Sequence, residues 1–282
     1  MITGRLPGTG PLRIGSVTLP AGVHIVSGYG KGQPVAWATV QPVPEPGKIW
    51  AALSAAHPQT GLVPFLLEGT DPDDPGSTRR PWDEGEFADP ADLAELDRLD
   101  AEALLESWWN WQLDPLGEGQ DEDPGDILVR LPFSRQFPGL APAETTPRDP
   151  RELEVALSWS QRPARIGLAV ADRPADVLAR IGWLGAVNGH PTPLPITAVL
   201  RSWEERFGAR LLQIGFDRIR LLVERPPRTA DAALRLAAEQ HVFCDECQHG
   251  ESEMGTAPPG LGTVPGLALC VLSAPAWTFW WD

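Results

Sequence analysis

Apolar residues in the first 70 positions follow the spacing of strands. In GVHIVSGYGKGQPVAWATV two apolar runs flank a glycine-rich turn, the pattern of a β-hairpin, since glycine takes positive φ without steric cost. The turn lacks the spacing of a phosphate-cradling loop and no helical pattern follows it. GLVPFLLEG reads as a further strand, and Pro64, with no N–H to offer a neighbour, places it at a sheet edge. The period then changes. Residues 90–111, PADLAELDRLDAEALLESWWNW, predict one helix with Leu93, Leu96, Ala103, Leu104, Trp108 and Trp111 on the inward face. Trp109 falls almost opposite, which makes it the exposed tryptophan of the run and a candidate contact residue.

A stretch rich in proline, FPGLAPAETTPRDP, separates this part from the rest. Beyond it, RIGLAV reads as a strand and ADRPADVLARIGW as a helix with Asp172 as its cap and Pro174 in the first turn. PITAVLRSWEERFG predicts a second helix with Val199, Leu200, Trp203 and Phe207 inward and Gly208 as the stop. ARLLQIGFDRIRLLVE gives two strands about Asp217 and Arg218, and Thr229 caps a third helix, ADAALRLAAEQHV. The closing APAWTFWWD reads as a strand with Trp277, Phe279 and Trp281 on the buried face, Trp280 on the other. The pattern predicts an α+β protein: a β-rich N-terminal domain with one long acidic helix (1–137), a Pro-rich linker (138–160), and a sandwich-like C-terminal domain (161–282) with helices packed on a mixed or antiparallel sheet.

Charge sharpens this division. Residues 71–126 carry 19 acidic and 3 basic side chains, a net of −16 against −15 for the whole chain. Such a segment suits a basic partner and repels nucleic acid, whose phosphates need cations. No apolar run reaches the ~18 residues of a membrane span, and three cysteines argue against a disulfide framework, so a cytoplasmic protein is expected.

Several separated motifs of the C-terminal part, IGWLGAVN, VLRSWEERFGARLLQIGFD, AAEQHVFC and the terminal WTFWWD, together resemble the domain-of-unknown-function family DUF4253 over roughly residues 162–282. Upstream, TGLVPFLLEG and RPWDEGEF are similar to the part that commonly precedes this domain. The resemblance implies an α/β C-terminal domain in a cytoplasmic bacterial protein and implies no activity. In HVFCDECQHG it maps Phe243, Cys244 and Asp245 and leaves Cys247 and His249 without counterparts.

That last stretch is the chain's best imitation of a metal site, with two cysteines and two histidines in nine consecutive residues. Four donors so close in sequence do not reach a tetrahedron around one ion, and only outside partners such as Cys270 or His190 would complete a site. The two acids between the cysteines raise rather than lower a thiol pKa, against a redox role. No metal or cofactor is expected, and Cys244 reads as a packed small side chain. The catalytic candidates are Glu204, an acid beside Trp203 on a helix, with Asp217, His241 and Cys244. A surface ion pair with Arg201 or Arg206 is the plainer role for Glu204, and a helix end favoured by the dipole the plainer one for His241. The binding candidates are Asn188, Arg201, Trp203, Trp280 and Trp109. GxSxG, HExxH, Walker and dinucleotide motifs are all missing from the sequence.

Two functional readings follow. One is a non-enzymatic recognition protein of the immunity or regulatory kind, which binds another protein through its aromatics and acidic flank. The other is a small-molecule-binding enzyme with a Trp-lined pocket between the two halves. The first is preferred, because 12 tryptophans and a concentrated acidic segment come with no catalytic signature. The charge makes one direct prediction: a random DNA duplex shows no retardation in a gel-shift assay with low-micromolar protein at physiological salt.

Overall fold

The computed structural model describes residues 4–68, 80–113, 124–158, 163–244, 246–247 and 262–281. Among these residues nine strands form one mixed sheet: β1 (Gly10–Ile14), β2 (Val17–Val26), β3 (Pro34–Thr39), β4 (Leu62–Leu67), β5 (Arg165–Val170), β6 (Ala209–Ile214), β7 (Arg218–Val223), β8 (Glu246–Cys247) and β9 (Ala276–Trp280). Their order across the sheet is β1-β2-β3-β5-β4-β6-β7-β9-β8, and β4 with β6 is the parallel pair. Helices α1 (Pro46–Thr60) and α5 (Pro150–Ser158) cover one face. The other face carries α3 (Ala101–Leu113), α6 (Val177–Ile181), α7 (Leu194–Phe207), α8 (Ala230–Phe243) and α9 (Val264–Ser273). Short helices α2 (Leu93–Leu96) and α4 (Pro124–Val129) complete the set. The fold is α+β, with helices on a mixed sheet as the pattern predicts.

Both faces of β4 are covered, so all six of its residues are buried. Val63, Phe65 and Leu67 join the larger core, Leu62 and Leu66 the smaller. The sequence places this strand at an edge on account of Pro64; it lies instead between β5 and β6. The ladder to β6 involves only Leu66 and Leu67, so on that side no bond is asked of Pro64, whose carbonyl accepts the Trp50 indole N–H at 2.9 Å.

The glycine-rich turn after β2 is pinned onto residues 85–89. Gly28 N–H donates to the Gly85 carbonyl at 2.7 Å, and a Cβ on Gly28 would come within 2.4 Å of that oxygen. The Asp89 carboxylate accepts from Ser27 Oγ and Lys31 N. The C-terminal signals hold: Gly208 ends α7 at φ 60°, and Thr229 Oγ1 accepts from Ala232 N to start α8. Asp172 makes no cap, since Arg173 precedes the 3-10 turn of Pro174–Asp176 that leads into α6. Helices α1 and α9 and strand β8 form where no element was read.

The division at 138–160 does not separate two sheets. Strand β5, from beyond it, sits between β3 and β4 from before it. The Pro-rich stretch itself lies bonded along the C-terminal half, with Glu144 N–H on the Arg206 carbonyl and Arg148 N–H on the Glu224 carbonyl, and residues 150–158 fold as α5. Residues that lie far apart in sequence therefore share one hydrophobic core.

The predicted helix over 90–111 is two helices. Asp92 caps α2 through the Ala94 N–H, and Asp100 caps α3 through the Ala103 N–H at 2.8 Å. Aspartates favour such caps over a helix interior, so the chain breaks between them and the helical phase resets. The inward face becomes Leu104, Leu105, Trp108 and Trp109. Trp109 is fully buried and Trp111 is 61% exposed, the reverse of the expectation. Trp109→Ala should cost about 3–5 kcal/mol in chemical denaturation, whereas Trp111→Ala should stay within about 0.5 kcal/mol.

Candidate functional site

Polar and aromatic side chains meet at one end of the sheet, around the β6–β7 turn. Strands β4 and β6 end side by side, and the Glu68 N–H donates to the Ile214 carbonyl at 2.9 Å. Gly215 N–H closes the turn on the Arg218 carbonyl at 2.7 Å. Two buried indoles hold this backbone, Trp82 donating to the Glu68 carbonyl at 2.7 Å and Trp183 to the Gly215 carbonyl at 2.9 Å. Pairing then decides what faces where. Arg218 lies opposite Trp280, and Arg220 opposite both Thr278 and Gln213, so these five share one face. Ile219, Leu221, Phe279 and Trp277 take the other, beneath the helices.

The Trp280 indole N–H donates to Asp217 Oδ2 at 3.0 Å, while the Arg218 guanidinium lies over its ring, 5.6 Å from the centroid. Beside them Arg80 sits 4.3 Å from the Phe216 centroid, held by Glu86 through Nε at 2.8 Å and Nη2 at 2.7 Å. The Glu68 side chain is buried, and burial pushes its pKa up against the pull of Arg220 and Arg218, with Asp217 adding to the rise. Arg218 approaches Glu68 only to 3.8 Å, an ion pair without a hydrogen bond. Cys244, at the end of α8, is buried and donates Sγ–H to the Trp280 carbonyl at 3.0 Å. Three sequence candidates, Asp217, Cys244 and Trp280, thus meet here. Glu68, Arg80, Phe216 and Arg218 were not singled out; the signal for Arg218 was its alternation with Ile219 across from Trp280.

The α7 candidates lie elsewhere and are structural. Trp203 is fully buried, its N–H on Glu239 Oε2 at 2.7 Å, so it offers no contact surface. Glu239, equally buried, also accepts from Ala141 N at 2.7 Å and from both terminal nitrogens of Arg206 at 2.8 and 2.6 Å. A buried carboxylate satisfied in this way locks α7, α8 and the 138–149 stretch together. Arg201 forks onto Asp176 at 2.5 and 3.0 Å and reaches Asp97 at 2.6 Å. Glu204 pairs with Arg173 at 3.0 Å, not with Arg201 or Arg206, and accepts the Ala175 N–H at 3.3 Å. Burial raises its pKa while Arg173 opposes the rise. The pair anchors the 3-10 turn before α6.

His241, Trp109 and His190 sit on and beside α3. His241 packs edge-on to Trp109 at 6.4 Å and His190 tilts on Trp108 at 4.6 Å, while Asn188 is exposed. The helix dipole was expected to favour a charged His241. Burial instead, with Arg130 adding, lowers its pKa to about 4, so the ring is neutral at pH 7. Of the metal-like stretch, His249 lies outside the described residues, as does the Cys247 side chain. Burial raises the pKa of the Cys270 thiol. Among the described residues no three His, Cys, Asp or Glu side chains gather as ligands, and no helix is long and apolar enough to cross a membrane.

The His241 environment predicts a pH dependence. Its folded pKa of about 4 lies below the unfolded value near 6.5, so the unfolded chain takes the proton first and stability falls as pH drops between these limits. The loss is about 3 kcal/mol at most. Denaturation from pH 7 to 4 should show this slope in the native protein and a flatter one in His241→Gln.

Comparison with known proteins bears on the C-terminal part. No curated protein and no solved structure matches the chain. Residues 165–282, which run from β5 through β9 and carry the β6–β7 turn, Cys244 and Trp280, match the model of the family described as a domain of unknown function, DUF4253.

Proposed function

We propose that this protein is a non-enzymatic recognition module that binds another protein through the sheet end around Trp280. The observation that carries this reading is the pairing of half-buried aromatics with guanidiniums, Trp280 with Arg218 and Phe216 with Arg80. Tryptophan and arginine dominate the energetics of protein interfaces, and rings held in place before binding lose little entropy there. Asp217 fixes the Trp280 ring by its N–H, so the patch is preorganised. A tryptophan-walled cleft for a small molecule has less support, because seven of the tryptophans are fully buried core side chains. Three cysteines, an odd and small number, suit a reducing compartment and favour a cytoplasmic setting.

The test is affinity capture from native extract with the full chain as bait, followed by mass spectrometry and titration of the partner retained. Trp280→Ala and Arg80→Ala should each weaken that partner by about 30-fold, the size of a hot-spot loss, with unchanged circular dichroism and thermal midpoint. Equal affinity in folded variants would overturn the reading.

A further inference from the structure

A second surface shares no residue with the cluster around Trp280. Between the α2–α3 link and α7 runs an open groove of about 510 Å3, within the usual size of ligand sites. Its apolar lining comes from Leu96, Leu99, Leu140 and Ala198. Two guanidiniums, Arg173 and Arg201, lie in its wall, but each is already matched from behind. Asp176, whose side chain is 2% exposed, forks onto Arg201, and the largely buried Glu204 holds Arg173. The rim adds Asp97, Asp100, Glu102 and Glu205, so that with Asp176 and Glu204 six carboxylates face two guanidiniums and the groove is acidic in sum even though Asp97 and Glu205 each touch a wall arginine.

We infer that this groove docks a basic segment of a partner protein, taking lysine or arginine side chains with their stems on the leucines and their heads among the rim carboxylates. Long cationic side chains combine these two demands, an apolar stem and a charged head. Asp97 and Glu205 are each 66% exposed and use one oxygen on the wall arginines, Oδ1 and Oε1, so their interaction with a guest stays open to water and to salt. An anionic guest would meet the rim's repulsion. Residues 92–106, which form α2, the link and the start of α3, carry six acids against one arginine and steer a basic chain towards the groove over a range of about a Debye length, roughly 8 Å at physiological salt. The inference is independent of the Trp280 patch, and either surface can fail alone.

The test uses the full chain and a capped octapeptide of alternating arginine and alanine, titrated by calorimetry at low and physiological salt. Binding is expected at low salt and should weaken as salt rises. The double variant Glu102→Gln/Glu205→Gln should lose about tenfold in affinity, in keeping with two exposed charge pairs. Glu95→Gln/Glu106→Gln changes net charge equally at exposed positions outside the groove and should shift affinity less than about twofold. Trp280→Ala should leave the peptide's affinity unchanged, which separates this site from the recognition patch. Equal losses in the two double variants would show attraction to net charge alone and overturn the inference, as would absence of binding at low salt.

Discussion

Strand β4 is the element on which the rest of the structure depends. It pairs along its whole length with β5 and at its end with β6, so it joins the strands before it to those after it in the sheet. The family-matched part, residues 165–282, supplies β5 and β6 but not the strand between them. Without β4 these two strands would face a gap of one strand, with unpaired backbone groups on each side. This is why the N-terminal part is integral to the sheet, and why all six β4 residues are buried.

Where strands end, the tryptophans take over the hydrogen bonding. Indole N–H groups close on backbone carbonyls beyond or beside the ladders: Trp50 on Pro64, Trp82 on Glu68, Trp183 on Gly215 and Trp37 on Gly8. Trp109 does the same for the Arg135 carbonyl, tying the turn after α4 onto α3. A tryptophan fills a core and satisfies an acceptor at once, which suits places where loops enter the interior. The unusual tryptophan content is therefore mostly architecture, with seven rings fully buried.

Half-buried arginines play the matching part on the helical side. Arg206 ties α7 to α8 through Glu239, while the Arg201–Asp176 and Arg173–Glu204 pairs tie it to the 3-10 turn of Pro174–Asp176, all at hydrogen-bonding distance. Because Asp176 and Glu239 are nearly inaccessible, these pairs hold only as complete sets, and loss of one partner would leave a buried charge. The same pairings neutralise the wall of the α2–α3 groove and leave its rim acidic, so the fold's internal electrostatics set the character of an external surface.

Local physics made much of this legible in advance. The β2–β3 hairpin, β5, the β6–β7 pair, α7 with its Gly208 stop, α8 with its Thr229 cap and the buried Trp277–Phe279 face follow from periodicity and capping chemistry that need no knowledge of the remote chain. Asp217 and Trp280 were marked from sequence, one at a turn and one on the outward face of a strand. Three things were decided only by tertiary contact. The place of β4 depends on which strands flank it, and a proline's missing N–H matters only if a neighbour asks for it. The phase of α3 depends on a break that aspartate capping allows but packing of Trp109 and Leu105 confirms. The roles of Trp203, Arg201 and Glu204 depend on Glu239, Asp176 and Arg173, partners up to 36 positions away in sequence, whose burial no local pattern records.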